Sequence, residues 1–200
     1  MTLDEMKKYP RFWQRLLRAE GVYAGKIDGI CGPLQRAAEA EWERRAVEYR
    51  AACGVFDARS EANLETLTPG AARMARQWLS KARVEAEKLG VTVRIICGTR
   101  SYAEQDALYA QGRTRAGKRV TKARGGFSWH NFGLAWDFGV FSADGGTYFG
   151  EHPAYRVLGA LAYGLPGCEW GGEWKGFPDL PHLQVRRYGS VREAREAFEK

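Results

Sequence analysis

Two short segments of this sequence contain the side-chain types of a metal-dependent hydrolase. The segment SWHNFGLAWD includes His130 and Asp137, and the later segment DLPH includes Asp179 and His182. Two imidazoles and one carboxylate can hold a zinc ion and leave its fourth position open for water, as catalytic zinc sites do and structural ones do not. Asp179 then remains as a second carboxylate close to a ligand, where a hydrolase needs its general base.

The first segment continues into a predicted strand over residues 134–141. Successive side chains of a strand point to opposite faces, so Asp137 shares its face with small residues that leave room for an ion. The alternating residues Leu134, Trp136 and Phe138 are large and apolar, and we expect this second face of the strand to point to the core. Gly133 would let the backbone turn so that His130 converges on Asp137.

The second segment is predicted to be an extended loop that enters a final strand at about residues 183–187. Pro178 and Pro181 exclude a helix here, so the segment differs from the helical H-E-x-x-H arrangement of other zinc peptidases. Such a loop could present His182 to a metal and Asp179 to its water. On these residues alone, each histidine could instead be a structural residue that hydrogen-bonds its surroundings.

Composition limits the class of partner without choosing one. The 31 Lys and Arg residues outnumber the 24 Asp and Glu residues, which leaves a formal charge of +7. A basic surface favours nucleic acid, acidic lipid or anionic cell-wall polymers. The densest basic patch, residues 113–124, is either a solvated loop or a rim that attracts an acidic polymer.

The four cysteines do not form a cysteine-based zinc site, because none belongs to a C-x-x-C pair. Cys97 lies in an apolar run and is interpreted as a small buried hydrophobe. A Cys31–Cys53 bridge is compatible with the sequence but not established by it. The first residues are partly acidic and lack an apolar stretch, so we expect cytoplasmic synthesis without a signal peptide and no stable membrane insertion.

Periodicity predicts an α+β fold with a small, mostly antiparallel sheet and flanking helices. The β-branched run VTVRIIC at residues 91–97 is a strand. The other predicted elements of this region are helices at about 71–89, 102–111 and 153–163, and the strands at 134–141 and 183–187.

The N-terminal region predicts a short helix that ends near Gly21, a glycine-rich loop, and a second helix from Pro33 to about Tyr49. The stretches QRLL, GVY and GKIDGICG in this region resemble the peptidoglycan-binding module of many cell-wall hydrolases. The resemblance implies that Tyr23, Asp28 and Gly29 contact peptidoglycan.

The likeness to that module ends where ERRAVEYR begins, so the module is truncated or merged with the catalytic domain. The alternative is a helical hairpin that only packs on the catalytic domain. We predict a helical module over residues 1–55 and a zinc peptidase domain over residues 56–200.

A more specific resemblance rests on several motifs in order. The pattern S-x-H-x-x-G-x-A-x-D, followed by an acidic residue three before a His, is matched by Ser128, His130, Gly133, Ala135, Asp137, Asp179 and His182. The stretches GTRSYAEQ and EWGGEWK match further motifs of one branch. The chain resembles the zinc peptidases that include D-alanyl-D-alanine carboxypeptidases, vancomycin-resistance dipeptidases and phage L-alanyl-D-glutamate endopeptidases, over about residues 56–187.

The resemblance implies a role for each matching residue. The metal ligands would be His130, Asp137 and His182, with Zn²⁺ as the cofactor. Asp179 would take a proton from the zinc-bound water and pass it to the leaving amine, and Arg100 would stabilise the oxyanion. The residues expected to bind or orient substrate are Ser128, Gln105, Trp170 and Glu169. A purely structural role is the alternative for Gln105, and Glu169 and Glu173 compete with Asp179 for the role of base.

The predicted function is that of a phage-type endolysin, a zinc endopeptidase that cuts the stem peptide of peptidoglycan between L-Ala and D-Glu. We expect bacterial peptidoglycan as partner, no nucleic acid, a monomer, and action on the wall once the membrane is breached. The alternatives are a D-alanyl-D-alanine carboxypeptidase with the same zinc chemistry and a wall-binding protein without catalysis.

Overall fold

The computed structural model describes all 200 residues and has one five-stranded antiparallel sheet. Its strands are β1 (Val91–Cys97), β2 (Ala135–Ser142), β3 (Tyr148–Phe149), β4 (Cys168–Trp170) and β5 (His182–Val185). The order is β1-β2-β5-β4, and the short β3 pairs with the far end of β2. The predicted α+β class with an antiparallel sheet is confirmed.

Eight helices surround this sheet. They are α1 (Leu3–Lys7), α2 (Pro10–Glu20), α3 (Pro33–Cys53), α4 (Ala58–Leu64), α5 (Pro69–Lys88), α6 (Tyr102–Ala110), α7 (Ala154–Ala160) and α8 (Val191–Glu199). The predicted helices over 71–89, 102–111 and 153–163 correspond to α5, α6, and α7 with the 3₁₀ turn after it.

The central strand β2 alternates as its sequence predicts. Trp136 and Phe138 are fully buried on the face that packs against α5. The Trp78 ring of α5 lies 4.7 Å from the Phe138 ring, and its Nε1 donates to the Leu158 carbonyl at 3.1 Å. Burying several aromatic rings on one face leaves Asp137 on the other, where a site can form.

The sequence patterns missed α4, α8 and the two shortest strands. Helix α4 begins at Asp57, whose side chain accepts from the Ser60 amide at 3.0 Å, and Ser60 Oγ accepts from the Ile95 amide of β1 at 3.0 Å. Helix α8 buries Phe198 against Phe132, with the ring centroids 5.2 Å apart. Elements of so few residues present too short a periodic pattern to be recognised without their packing partners.

The N-terminal helices share one continuous apolar core with the rest of the chain. The Trp13 ring of α2 contacts Trp42 of α3, with centroids 4.9 Å apart. Phe12 of α2 contacts Phe198 of α8, at 5.7 Å between centroids. Helix α3 extends to Cys53 and stops at Gly54, which has a positive φ of 82°. The boundary between residues 55 and 56 stays a prediction, and the segment packs on the peptidase part as the hairpin alternative supposed.

All four cysteines are free thiols, so the Cys31–Cys53 bridge that the sequence left open is not formed in this structure. None of the helices combines the length and apolar character needed to span a bilayer.

A buried ion pair connects α4 to α5. The Arg76 Nη1 and Nη2 atoms donate to the two Glu61 carboxylate oxygens at 2.8 and 2.6 Å. Burial acts to raise the pKa of Glu61, but the hydrogen bonds and charge of Arg76 outweigh it and hold that pKa below its usual value.

Replacing Glu61 with Gln should lower the free energy of unfolding at pH 7 by about 3 kcal/mol, because Arg76 would keep a buried charge without a counter-ion. A carboxylate with a lowered folded-state pKa stabilises the fold above its unfolded pKa of about 4.3 and loses that contribution as the pH falls through the folded value. Urea titrations at pH 7 and pH 3 should therefore show the difference between wild type and E61Q shrinking at the lower pH.

Glu48→Gln is the matched control, because Glu48 pairs with Arg44 on an exposed helix surface. Its effect should be much smaller, since exposed ion pairs contribute little. Equal losses in the two variants would show that burial of the Glu61 pair has no special weight.

Candidate metal centre

A single 3₁₀ turn, Trp129–Phe132, positions His130. It ends at Gly133, whose φ of 69° is left-handed. A Cβ at Gly133 would lie 3.1 Å from the Thr68 amide nitrogen, so the position favours glycine on both conformational and steric grounds. The buried Asn131 holds the turn, since its Oδ1 accepts from the Gly126 amide at 3.0 Å.

The pairing of β2 with β5 places the other two predicted ligands side by side. Asp137 and His182 are directly opposite in this antiparallel register. Directly opposite residues project to the same face of a sheet, so both side chains reach the same space as His130. The loop before β5 is extended, as the two prolines predicted, and it enters the strand at His182.

The three donor atoms form a nearly equilateral triangle. His130 Nε2 lies 3.2 Å from Asp137 Oδ1 and 3.1 Å from His182 Nδ1, and His182 Nδ1 lies 3.2 Å from Asp137 Oδ1. Zinc bonds of about 2.0–2.1 Å in tetrahedral geometry separate neighbouring ligand atoms by about 3.3 Å. Two buried imidazole nitrogens facing each other beside a carboxylate therefore fit a shared zinc ion, and the three predicted ligands converge.

Each imidazole has its far nitrogen engaged by the protein. His130 Nδ1 donates to the Gly98 carbonyl at 2.7 Å, which leaves the Nε2 lone pair free to bind a metal. His182 Nε2 donates to Gln184 Oε1 at 3.0 Å, and Gln184 Nε2 in turn donates to Glu169 at 3.2 Å. Outer hydrogen bonds of this kind fix the tautomer and the ring orientation of metal-binding histidines.

Burial and neighbouring charges shift the pKa values of the three ligands in different directions. Burial lowers the pKa of His130 to about 4, so this imidazole is neutral at neutral pH. Burial would raise the pKa of Asp137, but His130 and Arg100 hold it well below its usual value. Burial lowers the pKa of His182, while its contact with Asp137 outweighs burial and raises it. Of the three ligands, His182 is the one whose raised pKa favours its protonated form, so a metal here competes with protons mainly at that imidazole.

Arg100 lies beside the triangle and contacts the second oxygen of Asp137. Its Nε also lies 3.0 Å from Cys97 Sγ, and its Nη1 donates to Gln105 Oε1 at 3.2 Å. One carboxylate oxygen of Asp137 therefore faces the imidazoles while the other is held by the guanidinium. Arg100 lines the groove next to the ligands, and its role at an oxyanion stays a prediction.

Cys97 is a fourth potential donor that the sequence analysis assigned to the core. Its Sγ lies within 4.8 Å of the donor atoms of His130 and Asp137. Burial raises the pKa of this thiol to about 11, and a metal binds the thiolate rather than the thiol. The triangle that contains His182 is tighter and is the better candidate for the metal centre.

Asp179 lies in the same groove as the three ligands. It is half-buried, and its carboxylate has no hydrogen-bond donor within the protein. Burial and the negative charge of Asp137 raise its pKa, against the opposing charges of His182 and Arg100. Its backbone is anchored, since the Asp179 amide donates to the Gly171 carbonyl at 2.9 Å. An anchored carboxylate without a partner is suited to accept a proton from a group in the groove.

The groove above the centre has a volume of about 590 Å³. Ser128 lines it, as predicted. The sequence analysis missed most of its other walls, which include Trp129, Trp174, Phe177, Lys122 and Lys175. Lys122 connects two walls, because its Nζ lies 4.7 Å from the centre of the Phe177 ring. Trp174 belongs to the EWGGEWK stretch, so that motif was the sequence signal that could have indicated its place in the groove.

The structure places Glu169 and Trp170 behind the groove wall rather than in its lining. Glu169 accepts from Trp174 Nε1 at 2.7 Å and pairs with Arg186 at 3.2 Å. Trp170 is buried, with Nε1 donating to the Leu180 carbonyl at 2.8 Å. These contacts occupy their polar atoms, so the two residues support the wall that Trp174 forms. The competing base Glu173 is exposed and does not line the groove.

Gln105 is fully buried behind Arg100. Besides accepting from that guanidinium, it donates from Nε2 to the Ala123 carbonyl at 3.0 Å. This placement matches the structural alternative for Gln105 and ties the 121–123 segment to the metal centre.

The three residues predicted to contact peptidoglycan hold the N-terminal loop onto α2. Tyr23 donates from its hydroxyl to the Lys26 carbonyl at 2.8 Å. Asp28 Oδ1 accepts from Gln14 Nε2 at 3.1 Å, and the Gly29 amide donates to Gln14 Oε1 at 2.9 Å. Their polar groups are engaged within the loop, and contact with peptidoglycan stays a prediction.

Comparison with known proteins decides the family. A family model described as D-alanyl-D-alanine carboxypeptidase matches residues 121–185, which contain all three proposed ligands and Asp179. The peptidoglycan L-alanyl-D-glutamate endopeptidase CwlK of Bacillus subtilis (strain 168) is 42% identical over 121 residues, covering 56% of this chain and 71% of the relative. The chain belongs to this peptidase family. The resemblance predicted from the motifs is confirmed.

Two further relatives are similar over parts of their length. The L-alanyl-D-glutamate peptidase of Listeria phage A118 is 31% identical over 140 residues, which cover 67% of this chain but only 43% of the phage protein. The crystal structure of the L-Ala D-Glu endopeptidase ChiX of Serratia marcescens has 28% sequence identity and a TM-score of 0.46, and the match covers 65% of this chain and 88% of that one.

Replacing Gln184 with Ala should weaken zinc binding by about 10- to 100-fold, because His182 would lose the acceptor that fixes its tautomer. Gln184→Glu should restore only part of the affinity, since its carboxylate can accept the same hydrogen bond but would face the Glu169 carboxylate that now accepts from Gln184. Competition with a chromogenic chelator at neutral pH measures the affinity of each purified variant.

Gln77→Ala on the exposed surface of α5 is the matched control and should leave zinc binding unchanged. Wild-type affinity in Q184A would mean that the hydrogen bond to Gln184 does not orient the ligand.

Proposed function

We propose that the protein is a zinc-dependent peptidoglycan endopeptidase that hydrolyses the L-Ala–D-Glu bond of the stem peptide. The observation that carries the proposal is the convergence of His130, Asp137 and His182 donor atoms within 3.2 Å of one another. The unpaired carboxylate of Asp179 lies in the same groove. CwlK, the phage relative and ChiX are all named for cleavage between L-Ala and D-Glu, and the choice of this bond as the substrate follows those names.

The donor set suits a catalytic rather than a structural zinc, because only three protein groups converge and the centre opens into a groove. When bound, zinc supplies a Lewis acid and lowers the pKa of a coordinated water to about 7. The remaining chemistry falls to side chains of this chain.

Asp179 is the proton carrier in this mechanism. Its carboxylate accepts a proton from the attacking water and then donates that proton to the amine of the departing D-Glu residue. The hydrogen bond from its amide to the Gly171 carbonyl fixes the backbone at the groove, and the carboxylate, which has no partner in the protein, can turn from the water to the amine. A positioned group of this kind contributes about 10²- to 10⁴-fold to the rate.

Arg100 provides a fixed positive charge at the edge of the centre. Its contacts with Asp137, Cys97 and Gln105 prevent it from moving away as the substrate enters. Preorganised charge of this kind stabilises the negative oxygen that develops on the carbonyl during attack.

The charge of the groove favours an acidic substrate. Lys122 and Lys175 line it, and neither forms an ion pair with a carboxylate of the protein. A D-Glu residue has two carboxyl groups, and one of them stays free whichever group forms the next bond of the stem. The ammonium groups would attract that carboxylate, and they would attract the C-terminal carboxylate of a D-Ala–D-Ala pair in the same way, so this charge favours a stem peptide without choosing between the two bonds.

Peptidoglycan lies outside the cytoplasmic membrane, so we propose that the protein acts on the wall after release from the cell. The groove and the ligands belong to one chain, which supports action as a monomer.

Replacing Asp179 with Asn should lower kcat by at least about 100-fold while the protein retains its zinc, because an amide can neither accept nor return the proton. Activity is measured on purified peptidoglycan and on a soluble stem peptide, and zinc by elemental analysis of the same samples.

Glu173→Gln is the control, since Glu173 is the competing carboxylate outside the groove. It should keep nearly full activity. Unchanged turnover in D179N, or its loss in E173Q, would reassign the base.

Analysis of the products distinguishes the two peptidase activities. The family model that matches residues 121–185 is described as a D-alanyl-D-alanine carboxypeptidase, which makes this the second candidate. Mass spectrometry of digested muropeptides should show a new amino terminus on D-Glu and no free D-Ala. Release of free D-Ala as the main product would support the carboxypeptidase instead.

A further inference from the structure

We propose that a basic pocket on α2 binds the phosphate groups of an anionic wall polymer, a chain of polyol phosphates. The cationic residues of this α2 pocket are Arg11, Arg15 and Arg18 on the helix, Lys26 on the loop after it, and Lys200 after α8. It is separate from the metal-centre groove, with which it shares no residue. The choice of a wall polymer rests on the proposed function, whereas the phosphate chemistry rests on the pocket itself.

The α2 pocket is a concave surface of about 460 Å³ between α2, the 24–27 loop and the end of α8. Arg11, Arg15 and Arg18 are spaced i, i+4 and i+7, so they lie on one face of the helix. Lys26 faces them from the loop across the same cavity. With Lys200 after α8, five cationic residues therefore line one concave space.

The charges of the α2 pocket are not neutralised by the protein. None of its five cationic side chains forms an ion pair within the protein, whereas six of the eleven arginines on the other helices do. The paired arginines include Arg44, Arg45, Arg50, Arg76, Arg192 and Arg195. Glu199 is the acidic side chain of the lining, and its Oε1 accepts from Arg195 at 2.9 Å and from the Tyr102 hydroxyl at 3.1 Å.

Backbone carbonyls orient two of these cations and leave their charge intact. Arg18 donates to the Gly25 carbonyl, and Arg11 Nε lies 3.5 Å from the Asp28 carbonyl. Arg15 Nε is buried and has no hydrogen-bond partner at all. The Arg15 guanidinium carbon lies 6.0 Å from the centre of the Phe198 ring, so the side chain packs along the end of α8 without a carboxylate partner, and its charge stays available to an anion.

Helix α2 also keeps like charges on one face at a cost in stability. Cations at i and i+4 repel each other, and no acidic residue on this face offsets the repulsion between Arg11 and Arg15. An anion bound in the α2 pocket would offset it. The arrangement is the opposite of the Glu41 and Arg45 pair on α3, where the same spacing joins opposite charges.

Phosphate fits this chemistry better than other anionic groups. The planar guanidinium donates two parallel hydrogen bonds to phosphate oxygens, and three guanidinium groups are available. No aromatic side chain lines the α2 pocket, and single-stranded nucleic acid is usually held by stacking its bases on such side chains. A polyol phosphate chain has repeated phosphodiester groups and no bases, so it can bind the guanidinium groups without needing an aromatic side chain for stacking.

The test is binding of poly(glycerol phosphate) to the full chain at fixed ionic strength, measured by isothermal titration calorimetry. The double variant Arg15→Gln/Arg18→Gln should bind at least 10-fold more weakly than wild type. The matched control Arg59→Gln/Arg156→Gln removes the same charge from exposed positions elsewhere and should stay within about 2-fold of wild type. Inorganic phosphate should compete with the polymer for wild type.

Three results would overturn the proposal. They are equal weakening in both double variants, equal wild-type affinity for polyglutamate of the same chain length, and tighter binding of a single-stranded oligonucleotide than of poly(glycerol phosphate). If thermal unfolding shows that R15Q/R18Q is not folded, Lys26→Gln on the loop replaces it, with Lys81→Gln as its control and an expected loss of at least 3-fold.

Hydrolysis of a soluble stem peptide by R15Q/R18Q separates this proposal from the proposed function. Retained hydrolysis together with lost polymer binding supports a separate polymer site. If wild type binds the polymer but does not hydrolyse the stem peptide, the proposed function fails while the phosphate site stands.

Discussion

The pairing of β2 with β5 is the constraint on which the rest of the structure depends. It sets Asp137 opposite His182, although 45 residues separate them in the chain. A shift of one residue in this register would turn one of the two side chains to the opposite face and destroy the donor triangle. The register is held by the buried face of β2, where Trp136 and Phe138 pack under α5. The core and the candidate metal centre therefore use the two faces of the same strand.

Polar contacts behind the three candidate ligands fix the orientation of their side chains. The Gly98 carbonyl fixes one imidazole, and the Gln184 and Glu169 side chains fix the other. Arg100 holds the outer oxygen of Asp137. Such a site keeps its donors aligned before a metal arrives, because each side chain has already lost its freedom to rotate. Asp179 differs from its neighbours in having no such partner, which leaves it available for proton transfer.

The N-terminal helices belong to the same folding unit as the peptidase part, while their surface differs from that of the groove. Trp13 and Trp42 join the common core, and Phe12 packs on α8. The glycine-rich loop is closed on itself by Gln14 and Asp28. This region also offers to solvent the cationic face of α2, whose side chains form no ion pair within the protein.

The sequence by itself determined the strands β1 and β2, the long helix α5, and the residues of the candidate metal centre as types and positions, because these depend on local periodicity and short motifs. It did not indicate β4, α8, Gln184 or Phe177 as parts of the site, since each gains its role from a partner distant in the chain. The motif that contains Glu169 and Trp170 is recognisable in the sequence, but the sequence does not show whether their side chains line the groove or support its wall from behind. Only the tertiary structure decided these matters, since burial and hydrogen bonding depend on strand register and packing that no local pattern contains.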